Sequence, residues 1–169
     1  MRKSSKGFTL IELLIVIAII LIIAAIAIPN LLRSRIAANQ ASAVGSLRTY
    51  NTAEVTYATT YNTGFSANLT YLGPPATAGA TPDSTAAGLM DNVLAPPGGT
   101  DTASKSGYAF TYSPGAADSS GHINTFAFWA DPIVRGTTGT NSYYTDESGV
   151  IRQNSNNTQA SSADSPLAG

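Results

Sequence analysis

One carboxylate, Glu12, interrupts an otherwise apolar run from Phe8 to Ile28, FTLIELLIVIAIILIIAAIAI. An ionised side chain in a membrane segment costs on the order of 3 kcal/mol at the centre and less near an end, so its presence calls for a reason. Other residues able to do chemistry are few. His122 is the only histidine and sits beside Gly121, a setting that suits a solvent-exposed turn residue better than a catalytic base. Asp131, Asp146 and Glu147 supply the hard oxygens that calcium needs, but their spacing fits turn formation better than a calcium loop. Tyr50, Tyr57, Tyr61, Tyr108, Tyr112, Tyr143 and Tyr144 read as core and sheet-surface residues rather than a stacked conduction path. No nucleophile has a visible partner. The absence of cysteine excludes disulfides and thiolate metal sites. These residues make no case for an enzyme, a cofactor or a metal centre. Asn68-Leu69-Thr70 and Asn156-Asn157-Thr158 fit the glycosylation sequon, a weak signal.

The element that positions Glu12 is a helix. At 1.5 Å per residue the Phe8–Ile28 run spans about 31 Å, the thickness of a hydrocarbon core. Arg2, Lys3 and Lys6 precede it, and this basic excess predicts a cytoplasmic amino end with the remainder exported. Pro29 should bend or end the helix. No further proline occurs from Asn30 to Tyr61, however, and Leu32, Ile36, Val44, Leu47, Val55, Ala58 and Tyr61 form an apolar stripe at helical spacing. The pattern predicts one long kinked helix from about Phe8 to Tyr61, apolar all round in its first half and amphipathic in its second. Gly45 is a weak point within it and is expected to mark a close contact.

Residues 62–106 are rich in Gly, Pro, Ala and Thr and read as loop, with a short helix expected from Ser84 to Leu94. From Gly107 the period shifts toward two. Tyr108–Tyr112 and Ile123–Ala130 read as paired strands, and Ser142–Thr145 meets Val150–Gln153 across a tight Asp-Glu-Ser-Gly turn. An antiparallel sheet of three or four strands has one apolar face, and the amphipathic half of the helix has a matching need, so the helix should lie on the sheet. Residues 154–169 have little to bury and are expected to be a disordered tail. The chain therefore divides into an amino-terminal piece 1–7, an apolar helix 8–28, an amphipathic helix 29–61, a head 62–153 made of loop 62–106 and sheet 107–153, and a tail 154–169.

With 169 residues, an apolar segment outside any soluble core leaves room for one small domain. From Phe8 onward six basic residues stand against ten acidic ones, which argues against a nucleic-acid footprint. Two plainer uses of the apolar run compete. A signal peptide cleaved near Ala25-Ile26-Ala27 would have a shorter apolar centre and no acid, and the residues beyond Ile28 continue the helical pattern. A signal anchor would make the helix a mere tether for a periplasmic binding protein or enzyme.

The stretch Lys6-Gly7-Phe8-Thr9-Leu10-Ile11-Glu12 resembles the class III leader junction of type IV prepilins and of the pseudopilins of type II secretion systems. The resemblance is strong from Ser5 to Arg35 and looser to about Tyr61. It implies that residues 1–7 are a leader removed by a prepilin peptidase cutting between Gly7 and Phe8, and that the new Phe8 amine is methylated. It assigns Glu12 to filament assembly, where it would pair with a neighbour's Phe8 amine, and Pro29 to the helix kink. The fold it implies is pilin-like α+β, a long kinked helix on a small antiparallel sheet. The expected function is a structural subunit of a type IV pilus-like filament, with a type II secretion pseudopilin as the alternative. The partners implied are other copies in a helical homo-polymer, the peptidase, an inner-membrane assembly platform and its ATPase, and the membrane before assembly. The implied location is the bacterial inner membrane, single-pass with the head in the periplasm, and then the cell surface or a periplasmic pseudopilus. Two family features are missing, the disulfide that closes a C-terminal loop in many major pilins and the second helix-bending proline of some pilins.

Overall fold

The computed structural model describes residues 7–77 and 79–167; of the expected leader only Gly7 lies within them. Helix α1 runs from Leu10 to Tyr61, 52 residues with Pro29 inside it. It contributes to two compact units, residues 1–35 and 36–169.

In the first unit the helix has no tertiary core. Every large apolar side chain from Phe8 to Leu32 is at least half exposed or nearly so, including Ile20 at 58% and Ile23 at 61%. An 18-residue window of this helix reaches a mean hydropathy of 3.3 with none of it buried. A helix apolar on all sides and uncovered by its own chain has the composition of a membrane span or of a segment buried by other molecules.

The second unit is a helix on a sheet. Strands β1 (Thr102–Lys105), β2 (Tyr108–Pro114), β3 (Phe126–Pro132), β4 (Ser142–Asp146) and β5 (Arg152–Asn154) form an antiparallel meander in chain order. Alternation aims Tyr108, Phe110 and Tyr112 of β2 and Phe126, Phe128 and Ala130 of β3 into the core. From α1, Ala43, Leu47, Tyr50, Glu54 and Tyr57 are buried, four and three residues apart in turn, so they form one face. Tyr50 stacks on Phe128 at a ring separation of 4.2 Å and lies 5.7 Å from Phe110. Side-chain amides of the helix reach the β3–β4 connection and β4 itself. Asn39 Nδ2 donates to Thr138 O at 2.8 Å, and Asn51 Nδ2 donates to Thr145 Oγ1 at 2.9 Å.

Four expectations change. The buried face is centred on Tyr50 and Tyr57 rather than on the aliphatic stripe, so that Val44 and Leu47 are buried while Val55 is 56% exposed. The sheet has five strands because TASK forms an edge strand whose one buried side chain is Ala103. Its hairpin turns on Ser106 and Gly107, with φ of 51° and 74°, the positive pair of a type I′ turn. No helix forms over Ser84–Leu94. The N–H groups of Ala87, Gly88, Leu89 and Met90 donate to carbonyls of Tyr71, Gly73 and Leu72, and the Asp83 and Asp91 carboxylates take the local N–H groups of Thr85, Val93 and Leu94.

The fourth change concerns the expected disordered tail, of which residues 154–167 are described and lie along β5. Gln153 N donates to Ser165 O at 3.1 Å, Leu167 N donates to Ile151 O at 2.7 Å, and Ala160 is buried. Two arginines fix it. Arg135 Nη2 donates to Ser142 Oγ and to Thr158 O, and Arg152 Nη1 donates to Asp164 O. Hydrogen bonds order most of this segment, with Ala160 buried and Leu167 packed on the core, which is why its composition suggests a free chain.

Candidate assembly site at the amino end of the helix

The residues singled out at the amino end fall within one turn of chain. Thr9 is the last residue before the helix and Glu12 its third residue. Thr9 Oγ1 accepts from Glu12 N at 3.3 Å, while the Glu12 carboxylate reaches back through Oε2 to Thr9 N at 2.8 Å and to the Thr9 hydroxyl at 2.7 Å. This is a reciprocal capping box, which satisfies donors that a helix start otherwise leaves open. Sequence reasoning took Glu12 as an anomaly in an apolar run and missed the box. The Thr-x-x-Glu spacing ahead of that run was the signal that marks it.

Phe8 is 89% exposed. A Cβ built on Gly7 would meet nothing within 4 Å, so neither packing nor backbone conformation explains a glycine there. Pro29 sits inside the continuous helix and lacks the N–H that would bond to the carbonyl four residues earlier. The apolar surface between Glu12 and Pro29 includes Leu13, Ile17 and Leu21, all about half exposed or more.

The candidates in the head do not converge. His122 N donates to Asp118 Oδ1 at 3.0 Å within a turn, and Asp146 Oδ1 accepts from Ser148 N at 3.1 Å. Asp131 receives Gln159 Nε2 at 2.9 Å and lies 4.0 Å from Arg135. Among the described residues no three His, Cys, Asp or Glu side chains gather as a metal site would need.

One buried ionisable group escaped the sequence reading. Glu54 is fully buried, accepting from Ser66 N at 2.9 Å and from Ser66 Oγ at 2.7 Å, while Tyr112 donates to Ser66 O at 2.6 Å. Burial pushes the Glu54 carboxyl above its usual range, against the lowering effect of the Ser66 bonds. The same desolvation raises the Tyr112 hydroxyl well above the ordinary phenol range. Spacings of seven, four and three from Leu47, Tyr50 and Tyr57 place Glu54 on the core face, and only its charge kept it off the apolar stripe.

The exposed apolar helix, the glycine ahead of it and the capped carboxylate lie together in one segment at the amino end. Residues 2–28 match the family model described as the prokaryotic N-terminal methylation motif. Among particular proteins, the chain is similar to the type IV wide pilus major component PilA4 of Thermus thermophilus, 70% identical over 37 residues, which are 22% of this chain and 28% of that protein. It is also similar to the type IV major pilin protein PilA of Myxococcus xanthus, 47% identical over 53 residues, 31% of this chain and 24% of the relative. The matched part thus spans about a quarter of the length of these curated relatives. No solved structure matches the chain.

Proposed function

We propose that the chain is a structural subunit of a type IV pilus-like filament, rather than an enzyme. The observation that carries this reading is the apolar half of α1, which its own chain leaves uncovered from Phe8 to Leu32 while the head closes a core without it. Such a surface needs lipid before assembly and other copies of itself afterwards. Because lipid tails are as apolar as the helices, the gain on assembly comes from packing and from specific polar pairs. The resemblance to pilins at the amino end supports the same reading.

In this reading a prepilin peptidase cuts between Gly7 and Phe8, which accounts for a glycine that the fold does not require, and the new Phe8 amine is methylated. A neighbour's Phe8 amine then pairs with Glu12. In a low-dielectric bundle that pair is worth more than in water, whereas an unpaired carboxylate is costly. Pro29 is where the helix kinks and loosens as subunits pack. A cytoplasmic ATPase working through an inner-membrane platform drives extraction, with the amino end in the cytoplasm and the head in the periplasm before assembly.

The test is Glu12→Val in the full chain. Cleavage after Gly7 and membrane insertion should persist while the yield of filaments falls at least about tenfold, as expected when one partner of a buried pair is lost. Normal filaments from this variant would refute the assembly role.

A further inference from the structure

We propose that the β3–β4 connection is a second membrane contact, with Ile133 and Val134 seated in the boundary between headgroups and acyl chains while the subunit is held in the bilayer. This contact presupposes that lipid covers residues 8–32 before assembly, and it is independent of the filament.

Contacts between α1 and β2 climb in step. A Cβ on Gly107 would come within 3.2 Å of Asn39 Nδ2, Phe110 lies 5.7 Å from Tyr50, and Tyr112 bonds to Ser66, the partner of Glu54. Strand β2 therefore runs with the helix and β3 returns against it, which places residues 133–141 at the end where the helix enters the head. Asn39 and Gln40 fix the connection there, donating to Thr138 O at 2.8 Å and to Thr140 Oγ1 at 2.7 Å. Arg33 is the first cation after the apolar run, and such residues settle among the headgroups. Asn39 follows it by six residues, about 9 Å of helix, and the headgroup layer is itself about 5–7 Å deep. Chain connection alone thus brings this end of the head within reach of the membrane surface.

The connection also presents the right side chains. Among the described residues of the head, the exposed large aliphatic side chains are Val55, Val93, Ile133 and Val134, and only the last two adjoin. The backbone around them is bonded within the head. Ile133 N donates to Gly107 O at 3.0 Å, Val134 N donates to Thr138 Oγ1 at 3.1 Å, and Val134 O accepts from Thr137 N and Thr138 N at 3.0 and 2.8 Å. With these groups satisfied, two β-branched side chains are held outward and can enter a drier layer without stripping water from bare backbone.

Charge points the same way. Lys105 ends β1 at this end of the head, whereas Asp118, Asp146 and Glu147 occupy turns at the opposite end. Asp131, at the foot of β3, is taken by Gln159 Nε2 and faces Arg135. The head therefore turns its acids away from a surface that anionic lipids make negative.

The test uses the full chain, which has no cysteine and so takes a label at one introduced site. Thr137→Cys and Ser119→Cys are each labelled with a fluorophore and placed, one chain per disc, in nanodiscs of phosphatidylethanolamine and phosphatidylglycerol. Lipid with a nitroxide at its headgroup should quench the label at position 137 about threefold more than the one at 119, in the turn at the far end. Adding Ile133→Asn and Val134→Asn, both confined to exposed side chains, should bring position 137 down to the level of 119. Equal quenching at the two positions, or quenching at 137 that the double change does not move, would overturn the proposal. So would shielding of 137 that appears only with several chains per disc, the mark of a contact between copies. Ile20→Cys, read with a nitroxide midway along the acyl chain, checks the membrane reading separately. An unquenched label at 20 would sink that reading, whereas a quenched label at 20 beside an unquenched one at 137 sinks the second contact alone.

Discussion

The two halves of α1 share a backbone but solve opposite problems. Residues 36–61 bury one face, with Tyr50 and Leu47 fully enclosed, and leave the opposite face to water. Residues 10–35 bury almost nothing, although they are far more apolar. The more apolar half is thus the less satisfied one, so its partners lie outside the chain. The head encloses a core of its own, whereas the first half of the helix leaves its apolar surface uncovered.

The largest expected effect comes from cutting between these regions. A chain beginning at Asn30 should be fully soluble and unfold cooperatively, because the head's core lies at residue 43 and beyond, and it should form no filaments. A soluble chain that retained the protein's cellular role would break the comparison and favour a tethered enzyme or receptor.

Next in size is Tyr50→Ala. It removes a fully buried ring, its stack on Phe128 and a 2.6 Å bond from its hydroxyl to Leu94 O, and should lower head stability by about 4 kcal/mol in chemical denaturation. Replacing Ile20, also a large apolar side chain but 58% exposed, with Ala should leave that value unchanged within about 0.5 kcal/mol.

A smaller effect is pH-dependent. The Glu54 carboxyl holds its proton more tightly folded than unfolded, where its value is 4.5. As pH rises through 4.5 the unfolded chain releases the proton first, so head stability is full below that point and declines until the folded group also ionises. Thermal unfolding followed upward from pH 4 should show this decline in the wild type, and Glu54→Gln should flatten it. A stability that rises over the same interval would reverse the assignment.

The smallest effect is at the tail. Arg135→Ala removes the bonds to Thr158 O and Ser142 Oγ and should cost about 1 kcal/mol, read most sensitively as faster proteolysis within residues 154–167.

The sequence made the apolar half of the helix legible because its composition leaves only lipid or other molecules to cover it, and the strands expected over Tyr108–Tyr112 and Ile123–Ala130 were legible because large aromatics alternate there, although the second begins only at Phe126. What it concealed was polar. Thr102–Lys105 has too little apolar alternation to announce a strand, and it exists because β2 offers it an edge. Glu54 and the 154–167 segment are placed by hydrogen bonds between residues distant in sequence, which periodicity does not encode. Thr9 and Glu12 stand three residues apart in a recognisable pattern, yet the cost of a charge in a membrane drew attention from the cap that satisfies it.

The central claim is that residues 8–32 wait for other copies of the same chain after processing at Gly7. Mass spectrometry of material sheared from the cell surface tests it most directly. The account predicts that this chain is a main component and begins at a methylated Phe8. Its absence from that material, or a mature terminus near Ile28, would contradict the account.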